Sequence, residues 1–172
     1  MGYNCVRVGD DIIRKKKSDV IHNLGELDWQ IYECISENHI CDEVIITDEQ
    51  VKHIRERHPE AYMDTMYYLK RIIDDPDYIF KDKQPNTGLI VKKIENAKES
   101  ALLVLKILTV NDRKDYKNSV ITGWKITERR LNNYLRNKEI IYRKEYLAYN
   151  MYKRVKRLFE VVNFVATTHP MG

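Results

Sequence analysis

A chain of 172 residues with 43% apolar and 33% charged side chains can build one domain with its own core and a large wet surface. No stretch approaches the roughly 20 apolar residues of a membrane-spanning helix. The opening MGYNCVRVGDDIIRKKK has apolar and basic residues in the wrong order for a signal peptide, so a cytoplasmic protein of net charge +4 is expected.

From the N-terminus, YNCVRV alternates enough for a short strand, and the basic run RKKK follows at 14–17. Leu27, Ile31, Cys34 and Ile35 recur at helical spacing. The apolar run DEVIIT (42–47) suits a strand and leads straight into a helix start. There Thr47 and Gln50 form a capping-box pattern, with Asp48 and Glu49 placed to favour the positive helix terminus. The spacing predicts a helix from Asp48 to about His58, stopped by Pro59. A second helix is predicted over Ala61–Ile73, with Tyr62, Met66, Leu69 and Ile73 on one face, and DDPD ends it.

The period then changes. YIFKD (78–82), TGLIVKKI (87–94), SALLVLKILTV (100–110) and NSVITGWKI (118–126) are β-rich runs separated by the turn material KQPN, ENAKE and NDRKDYK. ERRLNNYLRNK reads as a helix and IIY as a short strand. A final helix over about Tyr146–Val165 carries the stripe Leu147, Met151, Val155, Leu158, Val162 and Val165. Its narrow spacing suits docking on its own domain or a homodimer through the same helix of a second copy, and the latter is favoured. The fold class is α+β: N-terminal helices packed on a four-stranded antiparallel sheet, with a C-terminal helical extension.

Charge follows this division. From Glu128 to Glu160 there are 10 Lys/Arg against 4 Asp/Glu, a net of +6, and the remainder has 20 against 22, a net of −2. A polyanion-facing surface and a solvated helix face both fit that asymmetry. Cys5, Cys34 and Cys41 are odd in number and make no CxxC pair, so a disulfide framework or a cysteine zinc site is not expected.

The chemistry concentrates in VKHIRERHPE (51–60), which holds two of the five histidines. On a helix His53 and Arg57 are four residues apart, about 40° around the axis. His58 lies five from His53, about 140° around, so the two rings do not share a metal from a regular helix and no metal site is expected. His58 also suits a purely structural role at the helix C-terminus. Two cationic groups on one face repel unless an anion lies between them, and a phosphate would serve. Metal-free RNA cleavage needs a base for the 2′-OH proton, an acid for the leaving oxygen and cations for the charged phosphorane; His, Arg and Lys supply these.

Further on, Lys106 interrupts an apolar strand, where it could equally protect a sheet edge. Period-two alternation sets Thr122 and Trp124 on one face of their strand and Ser119 on the other. Tyr134, Tyr142, Tyr146, Tyr149 and Tyr152 interleave with the C-terminal basic residues and could stack bases.

Together EVIITDEQVKHIRERHPE, IIDDPDYIF, the strands ending in NSVITGW, and YLRNKEIIY resemble the phage-associated members of the Barnase–EndoU–colicin–RelE-like (BECR) nuclease superfamily. The resemblance covers residues 43–144, leaving 1–42 as an N-terminal extension and 145–172 as a C-terminal amphipathic helix and tail. It implies a small metal-independent RNase of a phage, toxin or conflict system, with RNA as substrate, no cofactor, and a cognate inhibitor or antitoxin as partner. A non-catalytic nucleic-acid- or protein-binding module of the same fold is the alternative. Carried onto this chain, the motif implies His53, Arg57, His58, Thr122 and Tyr142 as catalytic residues. Lys106, Ser119, Trp124, Arg143, Lys153 and Arg154 are the candidate substrate-binding residues.

Overall fold

The computed structural model describes residues 3–8, 11–16, 20–95, 97–113, 115–146, 152, 155 and 156. Strands β1 (Tyr3–Val8) and β2 (Asp11–Lys16) pair with each other as an antiparallel hairpin. The other described elements are organised on one sheet. Its strands are β3 (Ile21–Glu26), β4 (Glu43–Thr47), β5 (Tyr78–Lys81), β6 (Thr87–Lys93), β7 (Glu99–Lys106), β8 (Asn118–Thr127) and β9 (Ile140–Arg143). The helices are α1 (Trp29–Tyr32), α2 (Asp48–Arg57), α3 (Tyr62–Asp74) and α4 (Glu128–Asn137).

The expected four-stranded meander β5–β8 is present, but as the centre of a seven-stranded sheet in the order β3-β4-β8-β7-β6-β5-β9. Each of β5 through β8 pairs with its neighbour in sequence, whereas β3, β4 and β9 join from elsewhere in the chain. β4 reaches β8 by a short parallel pairing, Val44 with Asn118 and Ile45 with Ser119, which no local pattern announces. The expected N-terminal helical layer is a correction too. The helical spacing at Leu27–Ile35 yields only the four residues of α1, and the residues before it form strands. Isolated short helices are marginal, so tertiary pairing decides such segments.

The sheet has two unequal faces. On one, α1, α2 and α3 bury Ile31, Tyr32, Ile54, Leu69, Ile72 and Ile73 against Ile79, Ile90, Leu103, Leu105 and Val120. On the other, among the described residues, α4 packs Leu131 and Tyr134 on Phe80, Leu89, Leu102 and Ile126. β6 lies under cover on both sides, so its residues are buried from Thr87 to Lys92. β8 alternates between buried and partly exposed positions, because α4 leaves part of that second face open.

α2 forms where its sequence predicts. Thr47 accepts the Gln50 N–H, and the Gln50 side chain accepts from the Thr47 N–H at 2.8 Å. The DDPD segment ties the helical layer to the sheet. Lys92, almost fully buried, donates to Asp75 at 2.7 Å and to Asp77 at 3.3 Å, while Lys144 donates to Asp75 at 2.7 Å. Burial alone would raise the Asp75 carboxyl; hydrogen bonds from Lys144 and Lys92 outweigh it and hold the group below the usual carboxylate range.

A carboxylate whose folded pKa is depressed stabilises the fold above its unfolded value and loses that contribution as pH falls through the folded one. Asp75→Asn is therefore expected to lower the melting temperature at pH 7. The gap from the parent should shrink as pH drops below about 4. Thermal melts from pH 7 to pH 2 check this; a gap independent of pH would show that the carboxylate charge is not what stabilises this corner.

Candidate active site

The open part of the second face collects polar side chains from β7 and β8, and a β-bulge decides which. Val104 faces Thr122, but Leu105 faces Val120, so Ile121 is the extra, unpaired residue and its side chain is exposed. One inserted residue inverts the parity of the strand. Ser119 therefore shares the face of Thr122 and Trp124, against the expectation from simple alternation. Lys106 stands directly opposite Ser119 on the neighbouring strand. Directly paired positions bring Cβ atoms to about 5 Å, so Lys106 and Ser119 form one polar pair beside Thr122.

Gly123 fixes the height of this floor. A Cβ there would sit 2.6 Å from Leu103 Cδ2, 2.9 Å from Thr65 Cγ2 and 3.1 Å from the Leu102 carbonyl oxygen. Without it, α3 closes against β8 and Thr122 and Trp124 are held toward the open face. The Thr122 hydroxyl is buried and has no hydrogen-bond partner. Such an orphan is costly in a folded protein and is expected where a ligand atom completes it. Ser119 Oγ donates to the Lys117 carbonyl, and Lys106 Nζ to the Pro85 carbonyl at 3.2 Å, leaving further ammonium protons free.

α2 brings in the histidine motif. It runs on from β4 alongside β8, anchored by Ile54, which is fully buried. His58 closes the helix by donating its backbone N–H to the Ile54 carbonyl, and its ring stacks on Trp124 with centroids 5.5 Å apart. Among the motif residues, His58 is thus the one in contact with the β8 constellation. His53 and Arg57 are exposed on the same short helix and, among the described residues, make no hydrogen bond or ion pair. Among the described residues no group of three or more His, Cys, Asp or Glu is placed to hold a metal ion.

Two expected site residues lie elsewhere. A second bulge, at Ile141, leaves Tyr142 opposite Ile79 and Arg143 opposite Tyr78. Tyr142 consequently packs, half-buried, against the core beneath the first helices, on the opposite face from Thr122. Burial, reinforced by the Asp75, Asp28 and Asp77 carboxylates, pushes its phenol above the ordinary range. That is unsuitable for a base near neutrality. Arg143 is on the second face, but β5, β6 and β7 separate its strand from β8, roughly 19 Å at the usual strand spacing. Its guanidinium lies against the rings of Tyr78 and Tyr146 at 5.5 and 5.0 Å. Neither residue joins the constellation. Lys153 and Arg154, like most of the C-terminal stripe, lie outside the described residues.

α4 contributes a residue that the sequence pattern did not single out. Arg130 donates from Nε to the Tyr134 hydroxyl at 3.3 Å and lies over that ring. Tyr134 is buried, edge-on to Phe80, so its face is closed to base stacking. Phe80, Leu89, Val104 and Thr122 form one row across the sheet. The Arg130–Tyr134 pair therefore sits at the far end of the row that Thr122 begins. The i,i+4 spacing within ERRLNNYLRNK was the available signal. Cys34 shows no sign of nucleophilic use: burial pushes its thiol up to about 11.

No helix among the described residues is long and apolar enough to cross a membrane. No curated protein and no solved structure matches the chain. A family described as phage-Barnase-EndoU-ColicinE5/D-RelE like nuclease2 matches residues 20–143. That match takes in every element from β3 to β9, including α2 with its histidines and the open face of β8. The chain belongs to the phage-Barnase-EndoU-ColicinE5/D-RelE like nuclease 2 family, and its function is of the nuclease type.

Proposed function

We propose that the chain is an endoribonuclease that cleaves RNA by attack of the ribose 2′-OH, without a metal, in the open part of the sheet around Thr122. The observation that carries this is the contact of His58 with Trp124, which sets an imidazole, able to give or take a proton, beside an orphaned hydroxyl and the Lys106 ammonium. In this scheme one of the α2 histidines accepts the 2′-OH proton. The 2′-oxygen bonds to phosphorus, the bond to the 5′-oxygen breaks, and a second acid returns a proton to the leaving oxygen. The products are a 2′,3′-cyclic phosphate and a 5′-hydroxyl. His58 takes one proton role and His53 the other, while Lys106 and Arg57 meet the charge of the phosphorane. The Thr122 hydroxyl donates to a non-bridging oxygen, and Trp124 orients the His58 ring.

The test is an oligonucleotide of deoxynucleotides carrying a single ribose. Cleavage is expected only 3′ of that ribose and undiminished in EDTA. Cutting of the all-deoxy strand, or activity lost in EDTA and restored by a divalent ion, would remove the 2′-OH mechanism. Binding without cleavage would favour a non-catalytic binding module of the same fold.

A further inference from the structure

Most cations of the sheet and its first helices are matched by carboxylates: Lys70 by Asp74, Arg71 by Glu95, Lys117 by Glu43, Lys125 by Asp64 and Glu99. α4 is different. Arg129, Arg130, Arg136 and Lys138 stand against a single acidic residue, Glu128, in twelve residues from Thr127 to Lys138. Among the described residues none of the four makes an ion pair. Arg130 and Lys138 are instead held over the Tyr134 ring at 5.4 and 5.2 Å, which positions their charge without neutralising it.

The helix also has a defined orientation. Glu128, Asn132 and Leu135 line a cavity with the loop between β6 and β7, around Lys93 to Ser100. Leu131 and Tyr134 face the sheet. At 100° per residue, Arg130 and Asn133 then point to the opposite flank, over the open part of the face, and Arg129 and Arg136 point outward. Thr127, Arg129, Arg130, Asn133 and Tyr134 line a second depression along that flank. It begins three residues after Trp124 in the chain.

We infer that this flank of α4 together with its outward face, carrying Arg130, Arg129 and Arg136, is a phosphate track, holding the backbone of a nucleic-acid strand on one side of the bond cleaved at the β8 constellation. It deepens the nuclease reading and rests on it for the location of the cleaved bond, but not for the binding itself. Like-charged side chains kept parallel on one helix repel each other, and a strand bearing one phosphate per nucleotide relieves that repulsion. A protein partner would be expected to leave apolar anchors beside the charges, whereas the residues around this depression are polar apart from the Tyr134 edge. Positions this far from the floor contact phosphate and sugar rather than base edges, so the track supplies affinity and register without sequence preference.

The experiment is fluorescence anisotropy of a labelled 2′-O-methyl RNA oligonucleotide, which cannot be cleaved, titrated with the full chain over a series of salt concentrations. Arg129→Gln with Arg136→Gln is compared with Lys83→Gln with Lys98→Gln, which removes the same charge from exposed lysines off that flank, Lys83 between β5 and β6 and Lys98 on the opposite side of α4. Each lost phosphate contact should flatten the slope of log K against log salt by about 0.7, so the α4 pair should flatten it by about 1.4 and the control pair by much less. Adding Arg130→Gln should flatten it further; if that triple variant melts early, the double variant still decides. Equal slopes for both pairs, or an unchanged slope for the α4 pair, would overturn the track. Should the parent chain cut no RNA yet show the α4-dependent slope, the nuclease reading fails while the track stands. Cleavage with an unchanged slope gives the reverse.

Discussion

His58→Ala is expected to slow RNA cleavage by about 10²–10⁴-fold, the span that a positioned acid or base contributes. The fold should survive, because alanine keeps the backbone N–H that closes α2 on the Ile54 carbonyl. Only the ring stack on Trp124 is lost, worth about 0.5–1.5 kcal/mol. The comparison with His22→Ala matters. His22 hydrogen-bonds Asp48 at 2.7 Å on the edge strand β3, a pairing that looks catalytic in isolation yet has no contact with the β8 floor. His53→Ala should lie nearer to His58→Ala than to His22→Ala. Single-turnover cleavage from pH 5 to 9, with a melt for each variant, checks all three. The His58 variant should also lose one limb of the pH profile. If it cleaves within a few-fold of the parent with the same profile, His58 is only a helix cap resting on Trp124.

Gly123→Val is expected to cost about 1–3 kcal/mol or more of stability, the range for forcing atoms into a packed interior. The Cβ would overlap Leu103 Cδ2 and Thr65 Cγ2, and both could shift at some cost, but the Leu102 carbonyl oxygen at 3.1 Å belongs to the backbone of the paired strand. Relief must come from moving α3 away from β8. That movement disturbs Thr122 and Trp124, the neighbours of Gly123, so cleavage should fall together with stability. Urea unfolding measures the first and the ribose-containing oligonucleotide the second. A variant as stable as the parent would show that α3 does not press on β8 as the structure has it.

Much of the local structure was legible. The Thr47–Gln50 box, Pro59 and the apolar spacing placed α2 and α3, since capping and periodicity act within a few residues. The apolar runs placed β5 to β8 because consecutive strands pair with their sequence neighbours. HIRERHP and VITGW lie far apart in sequence, and the structure brings them together through His58 and Trp124.

What the sequence could not decide is which face each strand residue takes and which distant strands complete the sheet. A bulge is set by the partner strand's register, so no pattern within NSVITGWKI shows that Ile121 is the extra residue and that Ser119 joins Thr122. The same holds at Ile141, which sets Tyr142 against the core and Arg143 at the far edge of the open face. The pairing of β4 with β8 is likewise a contact between residues more than seventy positions apart, which no local pattern specifies. Residue types and their local spacing thus determined the elements and the chemistry available to them. Register, bulges and the seating of α4 on the second face determined which of those side chains meet, because only packing between distant segments selects one parity of a strand over the other.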